Sequence, residues 1–499
     1  MKTAEEKEES IRVSKRRLVG SACVFALCYL VLIALIFVMI VIAHGAVWAQ
    51  YIADNASRLL TLVVSCFFLY CIVYYYFFFE DREFFLQARN ILLVFSVLTL
   101  AVMLCFLIGK FVNIYARPTI MLALLFVFLF NRRETVLLNF VFAMLMFVID
   151  IYTADYVAFD TDNASYFSLI FSFVCGTFGI FASGKVKTRL GVLLTGCFIA
   201  VPTIFITLLL KLPSAYNNWI EVIASVGFSV LGCVLSAVLA LALLPVLEAV
   251  FNRLTVFRLR EFTSTSAPIL VRLKREAPGT FNHSLIVAHL AETCAVAIGE
   301  NAELARAAGY YHDVGKLKQP DCFTENQTDY NVHDELTPEL SADIIRSHAG
   351  DGYELITAAH LPEIIADVAR EHHGTMPIKY FYNKAMRLSG GDVDVKDYSY
   401  LGPTPRTRIA AIVMIADASE AAVRALQDRS PETVERIVRG IIEERMDLDQ
   451  FDECDITMKQ LTVIKETIVE ALSGVHHHRV KYPAIRFNRE RQAVEEKTE

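Results

Sequence analysis

Between Leu18 and Leu247 the chain is a succession of apolar runs separated by short polar clusters. The hydrocarbon core of a bilayer is about 30 Å thick and a helix rises about 1.5 Å per residue, so one crossing takes about 20 mostly apolar residues. In lipid every backbone polar group must be satisfied within the chain, and continuous apolar runs do that as helices. Eight segments qualify, at 18 to 43, 59 to 79, 90 to 109, 112 to 130, 135 to 153, 165 to 183, 190 to 210 and 219 to 247. The fourth is the weakest, because Asn113, Arg117 and Pro118 interrupt it and only Gly109 and Lys110 turn the chain before it. Segments three and four can therefore be a tight hairpin or a re-entrant pair.

From Phe251 onward charges, His and Pro return at the density of a soluble domain. Fifteen of the 54 acidic residues precede Phe251, so the net charge of -7 belongs mainly to the second half. With a sequence pI near 6.0 nothing points to binding of a nucleic acid polymer. Of the 11 cysteines, Cys294, Cys322 and Cys454 alone lie outside the apolar runs, widely separated. Neither a disulfide framework nor a CxxC metal site follows, which fits a reducing compartment.

Positive charge orients the membrane half. The first apolar segment follows Lys15, Arg16 and Arg17 as in a signal peptide, but its length and the lack of a small-residue cleavage site before His44 make it an uncleaved anchor. With the N-terminus inside, the inner loops hold Arg82 and Arg89, then Arg132 and Arg133, then Lys185, Lys187 and Arg189; Arg253, Arg258 and Arg260 follow segment eight. The outer side takes the acidic cluster Asp155, Asp160 and Asp162. Lys and Arg are retained on the cytoplasmic side, so the second half is expected in the cytoplasm. Asp150 and Glu221 fall near segment ends and no charge is clearly central, unlike a transporter, and Tyr74, Tyr75 and Tyr76 suit an interfacial aromatic belt. The membrane half is expected to anchor or to sense.

The second half has helical periodicity and almost no strand signals. Helices are expected from about His283 to Ile298 and at 302 to 312, 338 to 348, 361 to 372, 405 to 427, 431 to 446 and 457 to 473. Eight of the 12 histidines fall between His283 and His373. His283 lies early in the first of these helices, His312 and Asp313 end the second, His348 closes the third, and His372 and His373 close the fourth. Asp417 interrupts the apolar stretch that starts at Ala410, where a carboxylate is costly unless paired or metal-bound. Imidazole and carboxylate together suit iron, manganese or zinc, and two such ions can clamp a phosphate and lower the pKa of a bridging water. Asp313 is the natural bridge between them. No HExxH helix or thiolate spacing competes.

His312-Asp313-Val314-Gly315-Lys316 resembles the HDxGK form of the HD phosphohydrolase motif. The string from Glu276 to Ser284 is similar to the entry of the HD domain in bacterial seven-transmembrane HD proteins, which hydrolyse cyclic di-AMP to linear pApA. Phe323 to Gln327, Ile345 to His348, Glu371 to Thr375, Ala416 to Ala422 and Gln450 to Asp455 match in the same order. The resemblance implies an all-α chain: a cytoplasmic tail 1 to 17, a first crossing 18 to 43, a short outer loop 44 to 58 and a seven-helix membrane domain 59 to 247. A connector 248 to 275, an HD phosphodiesterase domain 276 to 485 and a charged tail 486 to 499 would follow. It implies two iron or manganese ions, one on His283, His312, Asp313 and Asp417 and the other on His348, His372 and His373, with Asp313 shared. A metal-activated hydroxide would attack phosphorus in line, making the chain a second-messenger hydrolase of the cytoplasmic membrane. Lys316 would face the phosphate, or would be a solvated lysine after the glycine. Homodimerisation is left open.

The departures from that family are specific. Its members commonly insert a large external domain after the first membrane helix, and the interval from His44 to Arg58 is too short for one. Asn282 stands where relatives often have a second His, while His289, His333 and His360 have no ligand role and are expected to pack. His476 to His478 reads as a polar surface turn. Two other functions are weighed: cyclic di-GMP hydrolysis, as in the HD-GYP branch, and a catalytically silent nucleotide receptor. Gly374-Thr375-Met376-Pro377 in place of a GYP signature disfavours the first, and the complete ligand set disfavours the second.

Overall fold

The computed structural model describes residues 4–153, 164–184, 186–212, 218–264, 266–327 and 330–474. Asp155, Asp160, Asp162, Lys185, His476 to His478 and the tail 486–499 lie outside them. The chain divides into two units, Met1–Arg258 and Leu259–Glu499. Both are all-α; among the described residues the one β-type pairing is an isolated bridge between Pro377 and Ser399.

The first unit is a multi-pass helical bundle. Its helices are α1 (Ala4–His44), α2 (Ala56–Glu80), α3 (Ala88–Phe111), α4 (Met121–Leu129) and α5 (Arg132–Thr153). Then come α6, made of Ala164–Ile170, a π turn Phe171–Cys175 and Gly176–Ser183, followed by α7 (Arg189–Lys211) and α8 (Trp219–Phe251). Six of the eight expected segments, α1, α2, α3, α5, α7 and α8, are long and apolar enough for a crossing. The fourth and sixth are shorter apolar helices. Between α1 and α2 lies only a helical link, Gly45–Val47 and Trp48–Asp54.

The fourth segment is broken for a physical reason. Pro118 has no N–H to donate, and the Asn113 side chain accepts from the Tyr115 N–H at 2.9 Å, so a 3-10 turn over Ile114–Ala116 replaces the helix. That buried irregular backbone docks on Gly232 of α8, where a Cβ would lie 2.9 Å from the Arg117 carbonyl oxygen and 3.0 Å from that of Tyr115. Arg117 itself is 2% exposed; its Nη1 lies 2.7 Å from Asp150 Oδ2 of α5 and donates to Ser168 Oγ of α6 at 2.8 Å. The sequence pattern marks Asp150 only as a residue near a segment end, because its partner lies 33 residues away on another segment. At the π turn in α6 the Ser172 carbonyl accepts from the Gly176 N–H and also from Asn139 Nδ2 of α5, at 2.9 Å, so a side chain of the neighbouring helix supports the irregular turn.

Three loops of the first unit gather at one end. The Arg253 guanidinium, just past α8, lies 5.1 Å from the Phe84 ring and 5.2 Å from the Phe130 ring. Arg89 Nη2 also donates to the Val250 carbonyl at 2.8 Å. The α2–α3 loop, the α4–α5 loop and the exit from α8 therefore share a face, and they carry the cations expected on the inner side.

The second unit packs α9 (Pro278–Ile298) against α10 (Ala302–Tyr311), α14 (Arg408–Arg424) and α16 (Met458–Gly474). Between them run α11 (Pro338–Ala358), α12 (Glu363–Glu371), α13 (Lys379–Ser389) and, after α14, α15 (Pro431–Asp447). Local chemistry sets the boundaries: Gly299 at φ 79° ends α9, and Asn301, Thr337 and Thr407 side chains cap α10, α11 and α14. By length and composition α9 would also pass for a membrane span, yet it carries His283 and is half buried in the core of this unit.

Two expectations are corrected. His348 does not close its helix; α11 continues to Ala358, because Gly352 there faces Gly315 of a packed 3-10 turn, Val314–Lys318, which stabilises the helix past its glycines. The helix α13 was not expected, since its mixed polar and aromatic sequence buries only Phe381 and Ala385.

Candidate metal centre

Every histidine expected to hold metal lies at one place in the second unit, and three of them are fixed in the same way. The Nδ1 atoms of His312, His348 and His372 lie 2.8, 2.6 and 2.7 Å from the carbonyl oxygens of Gly309, Ile345 and Ala369, each three residues earlier. A ring that donates from Nδ1 to a carbonyl keeps its Nε2 lone pair free for a metal. His283 is held differently: its Nδ1 bonds a Glu420 carboxylate oxygen, one turn along α14 from Asp417.

Asp313 stands between two groups of rings. Its Oδ1 lies 3.3 Å from His348 Nε2 and 3.7 Å from His372 Nε2. Its Oδ2 lies 3.3 Å from His312 Nε2 and 3.7 Å from His283 Nε2. Asp417 Oδ1 is 2.9 Å from His283 Nε2 and 3.8 Å from His312 Nε2, and its Oδ2 is 3.8 Å from His373 Nδ1. Two atoms each about 2.1 Å from one ion lie about 3.0 to 3.4 Å apart, so the two 3.3 Å spacings suit shared coordination as they stand, and the longer ones need the donors to close in by a few tenths of an ångström. His312 Nε2 and Asp313 Oδ1 are buried and make no hydrogen bond, which is the signature of atoms held for a ligand. Donor atoms of Asp313, His348, His372 and His373 form one candidate metal group, and those of His283, His312 and Asp313 another.

The electrostatics agree with such a role. Burial works against ionising Asp313, but Lys316 and His312 hold its carboxyl well below the usual carboxylate range. Burial likewise opposes ionisation of Asp417, and His283 and His312 overcome it. Burial pushes His372 down and His373 well down, so both present neutral rings, the form that binds metal. His312 is buried too, yet Asp313 beside it raises it to about 10, a proton that an ion in the same place would displace.

Lys316 is not solvated. Its Nζ lies 2.8 Å from Asp313 Oδ2 and 2.7 Å from Glu325 Oε1, and it lines a cavity of about 310 Å³ together with His283, His348, His373 and Asp417. Of the histidines without an expected ligand role, His333 packs on Phe381 with its Nε2 2.8 Å from the Cys322 carbonyl, while His289, His360 and Asn282 are exposed. Sequence reasoning missed Glu420 and also Tyr400, whose ring stacks on His373 at 4.2 Å and lines the cavity. Glu420 could have been found, being one turn from Asp417; Tyr400 had no signal.

Gly315 is required by contact. A Cβ there would lie 1.9 Å from the His348 carbonyl oxygen and 2.5 Å from the Gly352 nitrogen. Gly315→Ala should push α11 away from Asp313 and weaken metal retention about 10- to 100-fold, the range for losing a group that orients metal ligands. Metal content after dialysis against a graded chelator, measured beside far-ultraviolet circular dichroism, checks this; unchanged retention with intact helicity would refute it.

The family model described as HD domain matches residues 280–422, and the one described as 7TM receptor with intracellular HD hydrolase matches residues 56–255. The cyclic-di-AMP phosphodiesterase PgpH of Bacillus subtilis is 38% identical over 325 residues, 65% of this chain and 46% of that protein. PgpH of Listeria monocytogenes is 38% identical over 350 residues, 70% of this chain and 48% of that protein. The chain thus spans about half the length of these curated relatives. The crystal structure of the L. monocytogenes PgpH HD domain in complex with cyclic-di-AMP is 46% identical, with a TM-score of 0.41, covering 43% of this chain and 100% of that one.

Proposed function

We propose that the chain is a member of the family of seven-transmembrane proteins with an HD hydrolase domain, and that it is a membrane-anchored two-metal phosphodiesterase that opens cyclic di-AMP to linear pApA. The observation that carries this reading is Asp313, with one carboxylate oxygen turned to His348 and His372 and the other to His312 and His283.

In this reading His283, His312, Asp313 and Asp417 would hold one divalent ion, and His348, His372 and His373, with Asp313 shared, would hold the second. An all-nitrogen-and-oxygen donor set suits iron or manganese. Two such ions would supply Lewis-acid stabilisation of a phosphodiester and a lowered pKa for a bound water. The protein's part is orientation. The carbonyl bonds at Gly309, Ile345 and Ala369 fix ring tautomers, Glu420 fixes His283, and Tyr400 holds the plane of His373. Lys316, between Asp313 and Glu325, offsets the negative charge at the cavity wall where a phosphate must approach.

In this reading the HD domain lies on the cytoplasmic side. The Arg-bearing loops of the first unit share one end with the exit of α8, and positive residues are retained inside. Cyclic di-AMP comes from the relatives named above. The test is turnover by the metal-replete full chain in detergent, with cyclic di-AMP and cyclic di-GMP in parallel and metal analysis of the same preparation. Hydrolysis of cyclic di-AMP with two equivalents of metal is expected. Preference for cyclic di-GMP, or tight binding without turnover, would overturn it.

Because Glu420 orients His283, Glu420→Gln is expected to weaken metal retention about 10- to 100-fold, the usual effect of losing such a partner. Metal content after dialysis against a graded chelator checks this, and unchanged retention would count against the positioning role.

A further inference from the structure

The cavity beside the metal centre is lined by three cations, and they are not alike. Lys316 is neutralised by Asp313 and Glu325. Arg445, on α15, is only 9% exposed, and it makes no ion pair among the described residues. Its Nη1 donates to the Ile441 carbonyl of its own helix at 3.1 Å, and its Nε makes no hydrogen bond among the described residues. Arg424, at the end of α14, is exposed, and among the described residues its ion-pair contact is Glu420 at 3.9 Å, beyond hydrogen-bond distance and already bonded to His283. Both arginines line the cavity on the Asp417 side. Asp417 and Glu444 act on the Arg445 charge without pairing with it, and a buried guanidinium with no anion in contact is costly and persists where a ligand supplies one.

A cyclic dinucleotide has two phosphodiesters, and only one of them can lie at the metal centre at a time. We propose that Arg445, assisted by Arg424, binds the phosphodiester that is not being cut. The inference rests on the phosphodiesterase reading and extends it to how the enzyme selects its substrate. A guanidinium is planar, permanently charged and able to give two parallel hydrogen bonds to a phosphate, which an ammonium cannot. The pair therefore favours ligands that present a second anion at a set distance from the first. A compound with a single phosphodiester gains nothing from it.

The test compares two substrates on the full chain in detergent, loaded with Mn2+: cyclic di-AMP, and bis(p-nitrophenyl) phosphate, which has one phosphodiester. Arg445→Gln is expected to lower the ratio of kcat/KM values, cyclic di-AMP over bis(p-nitrophenyl) phosphate, by about 10- to 100-fold, the range for a lost charge-assisted hydrogen bond. The loss should lie in KM for cyclic di-AMP. Arg445→Lys should recover only part of it, and Arg424→Gln should show a smaller change in the same sense. Cyclic di-AMP affinity of the metal-stripped protein, measured by titration calorimetry, should weaken by a similar factor in Arg445→Gln. An unchanged ratio, with both substrates lost together or neither affected, would overturn the proposal and leave Arg445 a packing residue. Wild-type protein that cleaves bis(p-nitrophenyl) phosphate but never cyclic di-AMP would overturn this proposal together with the reading beneath it.

Discussion

Asp313→Ala is expected to reduce cyclic di-AMP hydrolysis by at least about 1000-fold, while the helical fold of the chain survives. Loss of a single donor that stabilises a transition state costs about 100- to 1000-fold, and Asp313 serves both candidate ions. Its two oxygens are 3.3 Å from rings on opposite sides, so no neighbour can replace it. Asp417 reaches His283, His312 and His373 but has no contact with His348 or His372 at ion-pair distance among the described residues. The fold should tolerate the change, because Lys316 keeps Glu325 at 2.7 Å and is not left as an unpaired buried cation. Metal analysis should show fewer than two equivalents. Near wild-type turnover by metal-replete protein would sink the shared-carboxylate assignment, and loss of helicity would move Asp313 from chemistry to folding.

How much of this centre could be read in advance depends on the kind of signal each residue leaves. Histidines and a lone carboxylate in apolar helices stand out because burying them is costly without a purpose, and all seven expected ligands meet within one cavity region. Gly315 is legible as part of the HDxGK string, but its reason, the approach of the His348 carbonyl, exists only after α11 folds against the turn. Tyr400 and Arg445 reach the cavity from a loop and a helix distant in sequence, and nothing in their local pattern distinguishes them from packing residues. The membrane half divides similarly. Long apolar runs give α1, α2, α3, α5, α7 and α8 directly. The break before α4 is visible in Asn113, Arg117 and Pro118, whereas its stabilising partners, Asp150, Ser168 and Gly232, belong to three other helices.

That break supplies the second large effect, on stability. Arg117→Met should destabilise the membrane unit by about 3 to 5 kcal/mol, the cost of stranding one partner of a buried ion pair. Asp150 is 3% exposed and both of its oxygens bond Arg117 Nη1, at 2.8 and 2.7 Å, so after the substitution its charge has no water and no cation. Asp150→Leu alone should cost a similar amount by stranding the guanidinium against Gly109, where Arg117 Nε already fills the space a Cβ would take. The double variant Arg117→Met with Asp150→Leu should recover most of the loss, because apolar side chains of similar size match a buried pair without its desolvation cost. Thermal unfolding of the full chain in detergent, run as a double-mutant cycle, reads the coupling. Single variants within about 1 kcal/mol of wild type would show that the pair is solvated and worth no more than a surface contact. A double variant as unstable as the singles would instead assign Arg117 to holding the irregular backbone against α8 through its contact with Ser168. Recovery in the double variant would mean that Gly232 and the Asn113 cap are enough to keep the broken segment in place once no charge is buried beside it.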